Sequence, residues 1–265
     1  MMQTLQATVE GIGFWGSGLP DWDSACAFMR SGTRADGPPA RPSPQLLAAN
    51  ERRRAPGTVA VALQAALAAC EAADRAPASL ASVFTSNHGE QSITDYMCAT
   101  LAEDPRAISP TRFHNSVHNA AAGYWTIGTG AHMAATAISA GPYSFAQGLL
   151  EAMVQLQAGE EAVLLVAYDG DACGPLAEQA PSQGLLGVAL VLSRSPCPGL
   201  PTLSLQLQDI TKTLEAAAPG PLSQLLQGNA MHAALPLLEA LAMEGEQLRV
   251  RSGEHQWLRV GITHG

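Results

Sequence analysis

Two imidazoles four residues apart, His114 and His118 in FHNSVHN, have a spacing that on a helix puts both rings on one face and can hold zinc. A metal site needs a third donor. No Glu follows His114, and the next helical stretch offers only glutamines and a distant Glu151. The expected role is structural, with these His and Asn side chains bonding to neighbouring loops, and no metal or cofactor is expected. Serine chemistry is the second candidate. Ser139 and Ser144 flank a sharp turn in AISAGPYSFAQG, and either one, activated by His114 or His118, would make a small acyl hydrolase or transferase. Neither lies in G-x-S-x-G. Asp169 and Asp171 in VAYDGDACG place two carboxylates after a strand, and Asp beside Gly is expected there as turn chemistry. GIGFWG lacks the further glycine and acid of a dinucleotide site.

The elements that position these residues alternate. ATVEGIGFWG (7–16) reads as a strand, and DWDSACAFMRSG (21–32) as a helix with Asp21 as N-cap and Gly32 as its stop. Residues 33–49 read as a loop, and 55–74 as a strong Ala-rich helix with Val59, Leu63 and Leu67 on one face. A strand (80–90) and a helix (91–103) follow, then a loop entering a helix that ends on glycine (108–130). The stretch 131–169 reads as strand (132–139), turn, helix (143–158) and strand (161–168). A glycine-rimmed strand (184–195) comes next, then an alternating strand (203–212) with one wet face. Two Leu-rich helices (221–228, 233–243) and two strands (246–251, 256–262) finish the chain. Strands alternating with helices indicate an α/β layered fold.

Composition excludes several classes. Of 265 residues, 47% are hydrophobic, enough for a sizeable core, while aromatics are 5% and the net charge is −9. An acidic chain poor in aromatics is a poor nucleic-acid binder. The densest basic run, Arg52, Arg53 and Arg54, is expected as a solvated helix start. Five cysteines without CxxC spacing point to reduced thiols in the cytoplasm, with Cys70 and Cys98 buried in helices. No signal peptide and no membrane span are read.

Taken in order, these segments resemble the N-terminal half of a β-ketoacyl synthase on the thiolase fold, over roughly residues 7–195. VEGIGFWGSGLPDWDSACAFMRSG resembles the family's opening strand, Gly-rich turn and first helix. ISPTRFHNSVHNAAAGYWTIGTG resembles its P-x-x-F-x-x-S-x-x-N-x-x-A-G segment, with Pro110, Phe113, Ser116, Asn119 and Gly123 in place. GLLGVALVLS resembles the strand that closes that half. Within the family the chain is similar to a shortened group found beside aryl-polyene and xanthomonadin-type pigment genes. That likeness rests on Glu51-Arg52-Arg53-Arg54 and on the run from Phe113 to Trp125.

The resemblance implies a layered α-β-α domain at 1–200 with a divergent part at 201–265 packed on it. In active members a cysteine occupies the bend between strand and helix. Here Pro142 falls at that position, preceded by Gly141, or Ile138 in an alternative register, and neither can form a thioester. Pro142 at N1 would suit the helix start. The family's C-terminal H-G-T-G-T and N-S-F-G motifs, which bring catalytic histidines and a lysine, have no match; His255 and His264 sit in contexts that do not fit. The resemblance therefore implies a non-catalytic chain-length factor that pairs with a full-length ketosynthase and reaches acyl carrier protein through that complex. Its interface would use Phe113, His114, Asn115, Ser116, His118 and Asn119, and the strand residues Ala134, Ala135, Thr136, Ala137, Ile138 and Ser139. Gly141, Pro142, Tyr143 and Phe145 would wall the acyl tunnel. The rivals are the serine hydrolase and a homodimeric scaffold for acyl carrier protein.

Overall fold

In the computed structural model, which describes residues 4–34, 36–209 and 218–265, one eight-stranded sheet has helices on both faces. The strands are β1 (Leu5–Gly16), β2 (Ala81–Thr85), β3 (Ala135–Ile138), β4 (Ala162–Asp169), β5 (Leu186–Ser193), β6 (Thr202–Asp209), β7 (Gln247–Gly253) and β8 (Gln256–Thr263). Their spatial order is β3-β2-β4-β5-β1-β6-β8-β7. β2 runs parallel to β3 and β4, and every other neighbouring pair is antiparallel. This mixed, helix-covered sheet is the thiolase-like α/β arrangement the sequence implies.

β4 and β5 are buried along their whole length, which explains their unbroken apolar runs. The helices are α1 (Trp22–Ser31), α2 (Ala49–Arg54), α3 (Gly57–Ala72), α4 (Gln91–Glu103), α5 (Pro110–His114), α6 (Ala120–Thr129), α7 (Ser144–Ala158), α8 (Leu176–Gln179), α9 (Pro221–Leu226) and α10 (Leu235–Ala242). On one face α3 and α6 enclose Trp15, Leu63, Phe84 and Trp125. On the other, α1, α7, α9 and α10 enclose Phe14, Phe145, Leu149 and Leu190.

α3 lies unusually close to the sheet. A Cβ at Gly11 would collide with the Ala69 carbonyl oxygen, and one at Gly13 with that of Ala65. Across the next strand, a Cβ at Gly187 would lie 2.7 Å from the Val61 oxygen. Glycines on β1 and β5 are therefore what seats this Ala-rich helix.

α1 forms as its signals require. The Asp21 carboxylate accepts from the Ser24 N–H at 2.8 Å, Ser24 Oγ accepts from the Asp21 N–H, and Gly32 closes the helix at φ +70°. Two expectations need correction. The arginines Arg52, Arg53 and Arg54 end α2 rather than start a helix, because Ala55, preceding Pro56, is forced to extended backbone at ψ 137°. Cys98 is exposed, not buried, because α4 lies on the surface. The wet face of β6 is observed as an alternation, with Leu203 and Leu205 buried; residues 210–212 of the expected strand lie outside the described residues.

Beyond β5 the chain continues the same sheet. β6 pairs along the free side of β1, and the β8–β7 hairpin extends it. Among the described residues no helix is long and apolar enough to cross a membrane.

Candidate functional site, a bend beside an uncovered sheet edge

β2, β3 and β4 end at one level, since Thr85 lies opposite both Ile138 and Ala167. The loops that follow them meet there. Asp169, the last residue of β4, is fully buried and organises the loop after β2. Its carboxylate accepts from Ser86 Oγ at 2.8 Å, from the Asn87 N–H at 2.8 Å and from the His88 N–H at 3.0 Å. Burial pushes its pKa up, and those three hydrogen bonds oppose the shift without cancelling it. Ser86 Oγ also accepts from the Gly89 N–H, and the Ser86 carbonyl oxygen meets His118 Nε2 at 3.1 Å. Asn229 reaches in from the C-terminal part and donates to the Gly184 carbonyl oxygen at 2.7 Å and to that of Asp169 at 3.5 Å. The sequence reading treated Asp169 as a turn residue; its partners lie some 80 residues away, where no local signal reaches.

The bend between β3 and α7 is closed by its own residues. Gly141 turns the chain at φ +55°. Ser144 Oγ donates to the Gly141 carbonyl oxygen at 2.7 Å and accepts from the Ala140 N–H at 3.0 Å. Thr85 Oγ1 donates to the Ser144 carbonyl oxygen from below. α7 begins at Ser144 with Tyr143 as its N-cap, so Pro142 stands outside the helix and not at N1. The extra turn held by Ser144 postpones the helix start by two residues. Pro142 is exposed at the tip, and Gly141 and Tyr143 are half-buried beside it. Ile138, the position expected in the alternative register, packs against the core, and the Phe145 ring belongs to that core.

The imidazoles do not form a pair. α5 ends at His114, and a turn carries His118 before α6, so the spacing does not put both rings on one helix face. His114 is exposed, edge-on to Tyr124. Among the described residues no three His, Cys, Asp or Glu side chains form a metal-binding group. Ser139 Oγ donates to the Asn87 carbonyl oxygen at 3.1 Å, and neither it nor Ser144 meets an imidazole. No cysteine stands at the bend. Burial raises the thiol pKa of Cys26 and Cys173, and that of Cys70 to about 12, which leaves these three unactivated.

Beside the bend, β3 forms the end of the sheet, paired with β2 on one side only. Ala134 and Ala135 are exposed, and Thr136, Ala137 and Ile138 are half-buried. Phe113, Val117 and Met133 stand exposed on the segments before this edge, and Ile127 of α6 is 81% exposed. Asn119 is also exposed, whereas Asn115 is buried and Ser116 turns its hydroxyl onto the Phe113 carbonyl oxygen. Sequence reasoning missed Ile127, Val117 and Met133. A mostly apolar helix such as AAAGYWTIGT does not show from its pattern which side is left uncovered, and only the sheet order reveals that one side is open.

A closed strand-to-helix bend at the end of a mixed, helix-covered sheet, with an apolar edge beside it, agrees with what the sequence resembles. The family model described as β-ketoacyl synthase, N-terminal domain, matches residues 28–258. The chain belongs to this family. The match runs well past residue 195, where the sequence resemblance stopped, so most of the C-terminal part is also family sequence and not foreign to it. Among solved structures, this β-ketoacyl synthase family member is similar to a chain of a ketosynthase in complex with its chain length factor from Xenorhabdus doucetiae. They share 25% identity at TM-score 0.75, over 97% of this chain and 99% of that one. The ishigamide ketosynthase/chain length factor matches at 13% identity and TM-score 0.74, over 98% and 99%. A ketosynthase from the bacillaene synthase of Bacillus subtilis matches at 11% and 0.62, over 98% of this chain but 70% of its own. These last two show the fold alone. No curated protein matches.

Proposed function

We propose that this protein is the chain-length factor of a ketosynthase pair. One observation carries the reading: the bend between β3 and α7, which we take as the counterpart of the family's nucleophile bend, is closed by Gly141 and Ser144 and has no thiol in it. The uncovered β3 edge and the exposed Phe113, Val117, Ile127 and Met133 support a partner on that side. The likeness to a ketosynthase–chain length factor complex, nearly end to end in both chains, supports the same partner.

In this reading a full-length ketosynthase binds along β3, and its cysteine carries the growing chain. Gly141, Pro142 and Tyr143 then wall the far end of the acyl tunnel and set how far the chain extends. Acyl carrier protein delivers its cargo to the complex, the product is an aryl-polyene type pigment precursor, and the setting is the cytoplasm. Residues 1–200 and 201–265 work as a core and a packed C-terminal extension.

Acyl loading tests the proposal. After co-expression with a ketosynthase from the same gene cluster, incubation with an acyl donor should place a thioester on the partner and none on this chain. A stable adduct on any of the five cysteines here, or labelling of Ser139 or Ser144 by an acyl phosphonate, would overturn it. A homodimer that ignores the ketosynthase would favour a carrier-protein scaffold instead.

A further inference from the structure

The far end of the sheet carries a second surface. Along β6, β8 and β7 the inward side chains Leu203, Leu205, Leu258, Val260 and Val250 pack on the core. The alternate positions point to the opposite face, on the side of α3, and α3 packs on β1, β4 and β5 rather than on these strands. That face presents Arg249 and Arg251 of β7, Arg259 and Trp257 of β8, and Gln206 and Gln208 of β6. The three arginines are exposed. Among the described residues none of them makes a salt bridge, and no carboxylate shares their register positions.

Arg249 lies directly opposite Arg259 across the β7–β8 ladder. Like charges at facing positions repel and destabilise a sheet. Arg259 donates to Gln247 Oε1 and Arg251 to the Glu254 carbonyl oxygen, bonds that leave the positive charge uncompensated. Arg251 also stands over the Trp257 ring at 5.8 Å. A compact positive face on a chain of net charge −9 is a local arrangement, not a consequence of composition.

We infer that this face docks an acidic helix of a partner protein. Facing residues on neighbouring strands are about 5 Å apart, and residues two apart on one strand are about 7 Å apart. Carboxylates one turn apart on a helix have Cβ atoms about 5–6 Å apart. A helix lying across β7 and β8 therefore sets two successive carboxylates against the facing pair Arg249 and Arg259, where guanidinium and carboxylate pair in bidentate fashion, and leaves Arg251, two residues along β7, to a carboxylate on the helix flank. Trp257 supplies an apolar floor. A nucleic-acid strand fits less well, because the patch is three cations wide and the remainder of the chain repels a long polyanion. This surface lies at the opposite end of the sheet from β3, so it stands independently of the ketosynthase pairing.

The test uses the full chain and an Ala-rich helical peptide with glutamates at i, i+4 and i+8, against the same peptide with glutamines. The glutamate peptide should bind at low salt, weaken as salt rises, and shift the indole N–H resonance of Trp257. Reversing both facing arginines (R249E/R259E) should weaken binding about tenfold or more, about 1.4 kcal/mol or more, while the circular dichroism spectrum is unchanged. R249Q/R259Q, a milder change, should fall between. Equal binding of the two peptides, no binding at low salt, or undiminished binding by R249E/R259E would overturn the proposal. Tighter binding of a single-stranded oligonucleotide than of the glutamate peptide would also overturn it.

Discussion

The Ser139 hydroxyl donates to the Asn87 carbonyl oxygen at 3.1 Å, joining the bend after β3 to the loop after β2. That loop is in turn held by the buried Asp169 carboxylate. The shape of the bend thus depends on a carboxylate two strands away.

Replacing that carboxylate tests the dependence. In Asp169→Asn one oxygen still accepts from Ser86 and His88, but the new amide N–H2 faces the Asn87 N–H, donor against donor. A buried unsatisfied donor costs about 1–3 kcal/mol. Urea denaturation should show a loss of that size. An unchanged midpoint would mean that the loop holds its shape without the carboxylate.

Two carboxylates should respond to pH in opposite senses. Asp169 has a raised pKa from burial, so its ionisation disfavours the fold. Its contribution improves as pH falls through the folded value towards the unfolded one. Glu10 has a lowered pKa because Arg75 donates to it in a two-point ion pair. That stability is present above the ordinary carboxylate range and is lost as pH falls through the folded value. The stability difference between wild type and Arg75→Met should therefore vanish in acid. A difference that grows towards acid would contradict the assignment.

Gly13→Ala should prevent α3 from seating, since its Cβ meets the Ala65 backbone and no side chain can move aside. Overpacking of this kind costs about 1–3 kcal/mol or more. Thermal unfolding should reveal it. A variant as stable as wild type would show that α3 has room to shift.

Ile127→Asp changes a side chain that is 81% exposed. Stability of the isolated chain should move by no more than about 0.5 kcal/mol. Association with the ketosynthase should fall sharply, because the charge would be buried there unpaired. Equal affinity of variant and wild type would place the interface elsewhere.

Pro142→Cys puts a thiol at the exposed tip of the bend, ahead of the Tyr143 N-cap. It should give no condensation activity with malonyl carrier protein, because among the described residues no imidazole hydrogen-bonds to the bend residues 139–144. Measurable product from the isolated variant would revive a catalytic reading.

The sequence made some of this legible and hid the rest for identifiable reasons. Unbroken apolar runs announced β4 and β5, and the Asp21 and Gly32 signals placed α1 to the residue. The start of α7 was misplaced because Pro at N1 is the usual preference, whereas the Ser144 hydroxyl here closes one more turn. The His114–His118 spacing, for which a structural role was already expected, does not bring the rings together because Asn115 ends α5 between them. The roles of Asp169 and Ile127 depend on contacts and on an open edge far from them in sequence, which periodicity does not record.

Native mass spectrometry of this chain co-expressed with its cluster's ketosynthase tests the central claim most directly. The account predicts a 1:1 complex that Ile127→Asp dissociates, with the isolated chain poorly soluble. A well-behaved monomer that never joins the ketosynthase, beside a ketosynthase that makes full-length product alone, would contradict it.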